Sequence, residues 1–324
     1  TLDLGAQLIG DAHVQVRKLA DAAGLRRADI HKSGDVLQAI PGDTVRRTPP
    51  DASPLSWVDS LDALQASWRL DRATRHLGPG QVHALDHKSA DAFVRSLTLF
   101  EPAAAMLSAL IGGELCVPLD EISAYEALDQ GRAVGGLAGE IGSAGWFLPD
   151  GASGLVDYLA TELAGDVLLN SPAAFVSVDH SGVSLRARDE TIRAGRAIIA
   201  IPPQLYRAAG LLPQLPETWR PVLADWRPGT VVKTILVYDL PWWRSRGFSG
   251  SVLAPDEVFS AAIDTSPALD GPGVLVVFST ARGARTLGET EHESARVAQA
   301  ANWVRQCFGG EVPRLVTGRS INWS

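Results

Sequence analysis

The sequence predicts a mixed α/β protein, and at 324 residues the chain is long enough to fold as two domains. Three features carry that prediction. A mainly helical region runs from residue 55 to 130, short strands follow between 167 and 201, and an apolar strand at 229–238 opens a second run of strands that closes on a long helix.

Taken in order, Asp11 to Gly24 reads as a helix with Val14, Leu19 and Ala23 on one side and Gly24 as its stop. Residues 26–54 are polar and proline-bearing and read as irregular. From Leu55 through His76, Val58, Leu61, Leu64, Trp68 and Leu70 recur at helical spacing, with Trp57 and Trp68 as packing residues, until Gly78-Pro79-Gly80 closes the segment. Ser89 opens a second helix through Phe93, Leu97 and Leu99. Pro102 breaks or kinks it, an apolar stretch continues to Ile111, and Asp120-Glu121 supplies the N-terminal charge of a third helix. Gly131 to Gly145 holds no GxGxxG or GxxxxGKS/T pattern and reads as a flexible connection lining a cleft. Ser153 to Leu163 is helical. Strands are expected at Val167–Leu169, Phe175–Val178, Val183–Leu185 and Ala197–Ile201, with a hairpin turn at Asp179–Gly182. Later strands fall around Val252, at Ala261–Ile263 and at Val274–Phe278, before a helix from Glu289 to Cys307.

Composition narrows the function. A net charge of -8 and a pI near 5.4 give no basic field for nucleic acid. Cys116 and Cys307 lie far apart without a CxxC or Cys/His cluster, so neither a disulfide framework nor zinc is expected and a reducing cytoplasm fits best. No apolar run approaches the roughly 20 residues that cross a bilayer. His83 and His87 sit four apart, yet no apolar helical pattern supports them as ligands, and no metal is expected. The serines of Ser153-Gly154 and Ser249-Gly-Ser251 read as turn residues, since there is no GxSxG.

Lys233 is the residue that demands a reason. In the strand from Gly229 to Tyr238, Val231, Lys233, Ile235 and Val237 share one face while Val232, Thr234, Leu236 and Tyr238 share the other. Both faces are apolar except for this ammonium. The chain has 29 basic residues, of which only four are lysines. A buried unpaired ammonium costs several kcal/mol as an order of magnitude; the alternative is an edge strand whose lysine snorkels to water.

With Lys233, the opening glycine segment and the terminal tryptophan in view together, the chain resembles the flavin-dependent amine oxidases, the family of monoamine and polyamine oxidases. Leu2 to Gly10 is similar to its DLGG-x-x-V/I-G segment, and Asp120 to Ala124 to its x-E-V-S-A stretch. Leu148 to Gly151 with the helix to Leu163 and Asn170 to Ala173 resembles GG…L…L…V-x-L-N-x-P-V. Ala200 to Pro203 matches AIPP, Gly229 to Lys233 with Trp243 matches G-x-V-x-K…FW, and Ile321 to Trp323 matches x-N/D-W. Six weak motifs in the right order span nearly the whole chain.

The resemblance implies two interleaved domains. Residues 1–28 and 148–221 would form part of a Rossmann-type FAD-binding domain, and residues 29–147 and 222–324 an α+β substrate domain of mixed sheet and helices. Lys233 would hold a water against flavin N5. Gly5, Ala6 and Gln7 would lie against the isoalloxazine and its linker, Ala173 would offer backbone to the adenosine half, and Trp323 would flank the ring. Leu115, Trp146 and Ile263 would line the amine cavity, Ile263 at a gating position. The implied activity is oxidative deamination of an amine with oxygen as acceptor and hydrogen peroxide as product, by a possible homodimer. A non-catalytic scaffold, or a related desaturase or protoporphyrinogen oxidase, is the alternative.

Departures from the family pattern are specific. Its pyrophosphate-binding GxGxxG and ribose carboxylate would precede Thr1, and its glycine-rich flavin contact, aromatic cage residue and capping helix would follow Ser324. The chain therefore reads as an internal piece, expected by itself to hold FAD weakly and to be inactive. Ala6 stands for the second glycine of the first motif and Asp150 for the first of a Gly-Gly pair.

Overall fold

The computed structural model describes residues 2–134, 136–137, 144–163, 167–188, 190–210, 215–255, 257–267 and 271–324. Two compact units emerge, Thr1–Tyr158 with Gly229–Ser324, and Leu159–Pro228.

The larger unit begins with β1 (Ile9–Gly10), α1 (Val14–Ala22), β2 (Ala28–Asp29), β3 (Asp35–Gln38) and β4 (Arg46–Thr48). Gly24 ends α1 as expected, at φ +64°, a conformation glycine adopts without strain. Residues 26–54, expected to be irregular, instead supply three strands. They are short, and in β3 only Leu37 is fully buried, so no alternation marks them in the sequence.

The helical region forms as α2 (Trp57–Arg75), α3 (Val82–Asp86), α4 (Ala90–Arg95), α5 (Glu101–Glu114) and α6 (Ala124–Val134). Ser56 caps α2 by accepting from the Asp59 amide, and Ser89 caps α4 by accepting from Ala92. Pro102 lies in the first turn of α5, where its missing N–H costs nothing, so it starts a helix rather than breaking one. The buried face of α2 is Asp62, Ala66, Leu70 and Thr74. Trp57, Leu61, Leu64 and Trp68, expected to pack, are exposed on the opposite side. Small residues at 66 and 74 let α2 lie close against α5 and α6, and that contact decides which face turns inward. Asp62 then does a capping job across the layer, its Oδ2 accepting from the amides of Leu99 (2.7 Å) and Phe100 (2.8 Å) at the start of α5. Asp62→Ala should cost about 1–2 kcal/mol in urea unfolding, the usual loss of a helix cap; an unchanged midpoint would show that water takes over both amides.

Next come β5 (Ala144–Phe147) and α7 (Ser153–Glu162). Of the glycine-rich connection, Gly135, Gly139 and Gly142 lie outside the described residues.

The smaller unit is a meander of β6 (Ala173–Asp179), β7 (Gly182–Ala187) and β8 (Glu190–Ala194), followed by α8 (Trp219–Asp225). Its hairpin turns as expected, the Asp179 carboxylate accepting from the Ser181 amide and Gly182 at φ +132°. Val167–Leu169 and Ala197–Ile201 are not strands. Their apolar residues favour extended backbone, but a strand also needs a partner, and among the described residues none pairs with them; Ile198 is 95% exposed.

Back in the larger unit, β9 (Val231–Tyr238), α9 (Trp242–Ser245), β10 (Phe248–Leu253), β11 (Ala261–Asp264), β12 (Gly273–Thr280), α10 (Ala281–Gly288), α11 (Glu293–Phe308) and β13 (Thr317–Asn322) complete the chain. The helix expected from Glu289 to Cys307 is α11, which starts four residues later, and α10 ahead of it was not expected. One sheet runs β13-β9-β12-β11-β10-β3-β4, antiparallel except for β10 beside β3. Val232, Leu236 and Tyr238 of β9 face a core shared with Leu287 of α10 and with Ala300, Val304 and Phe308 of α11. Ile235 and Val237 face the other way, onto Val274, Val276 and Phe278 of β12 and onto Leu2 and Leu4. Alternation along the strand therefore separates a helix-covered face from one crossed by the N-terminal segment.

Candidate functional site

Lys233 stands on that second face, on a strand paired along both edges, with Phe278 of β12 on one side and Ile321 of β13 on the other. It is 4% exposed. The edge-strand alternative is therefore excluded. Its Nζ donates to Asp3 O (2.5 Å), Gly5 O (2.8 Å) and Gln7 Oε1 (2.9 Å). An ammonium has three donors and no acceptor, so all three are matched. A water bound to Nζ would take the place of one of these acceptors, and Gln7 Oε1 is the one carried on a side chain. Burial pulls the lysine down to about 8, opposed by the Asp3 carboxylate, and at neutral pH the group is mainly cationic.

The segment that Lys233 grips is fixed at other points too. The Asp3 carboxylate accepts from the amide of Ala152 (2.9 and 3.1 Å), just ahead of α7, where the helix dipole favours negative charge. Trp323 Nε1 donates to Leu4 O (3.0 Å), while the Trp323 amide donates to Val231 O (3.0 Å) and ties the tryptophan back to β9. Gly5 and Ala6 are left exposed. A Cβ placed on Gly5 would lie 3.6 Å from the Trp323 ring. The result is a backbone ridge with almost no side chain, beside a half-exposed indole and above a buried cation. A planar conjugated ring carrying electron density fits such a surface, since it needs close backbone approach and a nearby positive charge.

Of the residues expected around an amine, Ile263 shares the sheet face of Lys233. It pairs with Val276, which pairs with Ile235, two strands or about 10 Å across at ordinary strand spacing. Leu115 ends α5 beside the start of β9, where the Thr230 amide donates to Cys116 O (2.8 Å). Trp146 pairs with Ile9 and packs among Ile9, Ala20 and Leu148, with the Arg27 guanidinium 4.8 Å from its ring centre. Ala173 opens β6 in the smaller unit. Sequence reasoning missed the Asp3 cap, the grip of Lys233 on Gln7 and the Trp323–Leu4 bond, which span 149, 226 and 319 positions and leave no spacing signal.

Asp120 and Glu121 lie ahead of α6, but their partners are Arg282 and Arg285 of α10, each pair doubly bonded at 2.7 Å. Those arginines hold both carboxyls below the usual range. His83 and His87 meet edge to face at 4.8 Å through the short α3, and among the described residues no group of three metal-ligating side chains forms. Cys116 and Cys307 are free, with burial raising their thiols to about 11 and about 12. No described helix is long and apolar enough to cross a membrane.

The profile of the flavin containing amine oxidoreductases matches residues 1–324. A Mycobacterium tuberculosis protein, AofH, placed by name among flavin-containing monoamine oxidases, is 28% identical over 296 residues, which is 87% of this chain and 64% of that protein. The putrescine oxidase of Kocuria rosea is 25% identical over 307 residues, 86% of this chain and 63% of its own length. The chain thus spans a little under two thirds of the length of these relatives. In architecture it is similar to a putrescine oxidase solved with putrescine, at a TM-score of 0.90 and 22% identity over 98% of this chain and 73% of that one.

Proposed function

The chain belongs to the flavin-containing amine oxidoreductases, and from that premise we propose that the intact protein is an FAD-dependent oxidase that deaminates an amine and passes the electrons to oxygen, giving hydrogen peroxide. One observation supports the reading above the others: a buried ammonium, Lys233, gripping the backbone of the glycine segment from beneath. A scaffold protein has no need for that charge, and its burial is costly.

The flavin supplies hydride acceptance and oxygen reduction; the chain supplies position, charge and dryness. Gly5 and Ala6 would give the ring system backbone to lie against, Gln7 and Asp3 would keep the Lys233 ammonium aimed at that ridge, and Trp323 would flank it. On this reading Ala173 would offer backbone to the adenosine half, residues 1–28 and 148–221 would act for the cofactor, and 29–147 and 222–324 for the substrate. Leu115, Trp146 and Ile263 present apolar surface to the amine. The free thiols suit a cytoplasmic setting.

Full-length protein mixed anaerobically with a panel of amines should bleach its flavin absorbance, and admitting oxygen should restore the colour with one peroxide per turnover. A coloured protein that no amine bleaches would favour a desaturase or protoporphyrinogen oxidase; one that binds no flavin would favour the scaffold.

A further inference from the structure

We propose that Gln7 is a gate on Lys233: its carboxamide occupies the third donor of the buried ammonium until a small oxygen ligand, a water or an oxygen species, enters beside Gly5 and Ala6 and takes its place. What the ligand does there rests on the oxidase reading; the exchange itself rests on this chain alone.

The donors of the ammonium require an exchange. Lys233 Nζ has three, and Asp3 O, Gly5 O and Gln7 Oε1 use all of them. A further partner can only replace one of these acceptors. Two of them are backbone carbonyls of a pinned segment. The Asp3 carboxylate is tied to the Ala152 amide, Leu4 O accepts from the Trp323 indole, and Leu2 and Leu4 pack with Ile235, Val274 and Val276. Moving either carbonyl means unfastening the whole segment. Gln7 Oε1, by contrast, is carried on a half-buried side chain with free torsions, whose Nε2 bonds to no described residue. Turning it aside breaks one hydrogen bond, and the incoming ligand restores one, so the ammonium keeps three acceptors.

The place that Gln7 leaves is approachable. Phe278 and Ile321 flank Lys233 along the sheet, while Gly5 and Ala6 in front are exposed and carry almost no side chain. The neutrality of the carboxamide also matters. A carboxylate at position 7 would form a buried ion pair with the ammonium, and a neutral ligand could displace it only by leaving a buried charge uncompensated.

Acetylation tests the gate without flavin or amine. Deflavinated full-length protein is treated with acetic anhydride at pH 8, and Lys233 is compared by mass spectrometry with the exposed Lys18 and Lys32. Burial already pulls Lys233 down to about 8, so complete loss of its charge could no more than about double its rate, and any larger gain reports access. In Gln7→Ala and Gln7→Ser, each checked for an unchanged melt, Lys233 should react about tenfold faster than in wild type, and in Gln7→Glu no faster. In the flavin-loaded protein, reoxidation should be about tenfold slower in Gln7→Glu than in Gln7→Ala, with reduction by amine differing far less. Three results would overturn the gate: acetylation of Lys233 that both shortened variants leave unchanged, Gln7→Glu reoxidised as fast as Gln7→Ala, or equal slowing of both half-reactions by Gln7→Glu. The two readings fail separately. Faster acetylation in a protein whose flavin no amine bleaches would keep the gate and remove the oxidase, whereas unchanged acetylation beside slow reoxidation in Lys233→Met would do the reverse.

Discussion

Lys233→Met in the full-length protein should slow reoxidation of the reduced flavin by oxygen about 100-fold, the usual loss when one preorganised electrostatic partner is removed, while leaving reduction by amine within a few-fold. If the flavin rests on the ridge of Gly5 and Ala6, the negative charge that forms on oxygen during reoxidation would lie close to the Lys233 ammonium, which would stabilise it. Hydride transfer from a neutral amine would spread its charge over the whole ring system, where the ammonium would matter less. Stopped-flow measurement of the two half-reactions separates them. Unchanged rates in both would leave Lys233 as a tether for residues 3–7 and nothing more.

The same substitution has a stability signature with a definite sign. Burial holds the folded lysine near 8 against an ordinary 10.5. Below pH 8 the ammonium is charged in both states and the folded state bears the full penalty. Between 8 and 10.5 the folded state sheds its proton first, so the unfolded chain binds more protons and stability rises with pH. The whole rise is on the order of 3 kcal/mol. Wild type should therefore gain stability across this window relative to Lys233→Met in paired urea titrations. A flat difference would mean that the three acceptors keep the lysine charged well above 8.

Lys233 was legible because an ammonium inside an otherwise apolar strand contradicts its surroundings, and a contradiction can be read locally. Its partners were not. Two are backbone carbonyls some 230 positions away, and a carbonyl has no sequence identity. Likewise the alternation of β9 was sufficient to assign its two faces, whereas α2 carries apolar residues on both sides. Periodicity recorded the bulkier seam of Trp57, Leu61, Leu64 and Trp68, but close packing against α5 and α6 selected the smaller one. Ala197–Ile201 failed for a related reason, since propensity describes one segment and a strand requires two.

Turnover of an apolar amine by the full-length enzyme should rise about tenfold in kcat/KM for each pH unit below the substrate's own pKa and then level off, because only the neutral amine has a lone pair to assist hydride loss from its carbon. The expected preference is for a monoamine with an apolar body. The carboxylates that sequence puts nearest to Leu115 and so within reach of a polyamine's second ammonium are Glu114, Asp120 and Glu121, and the last two are committed to Arg282 and Arg285. Breaking either pair to receive a substrate would forfeit two charge-assisted bonds, so these groups are poor anchors. Comparing benzylamine and phenethylamine with putrescine and spermidine from pH 6 to 10 decides the matter. A clear preference for the diamine or spermidine, weakened by Glu114→Gln, would show that the cavity presents a carboxylate after all and would transfer the substrate class to polyamines while leaving the role of Lys233 untouched.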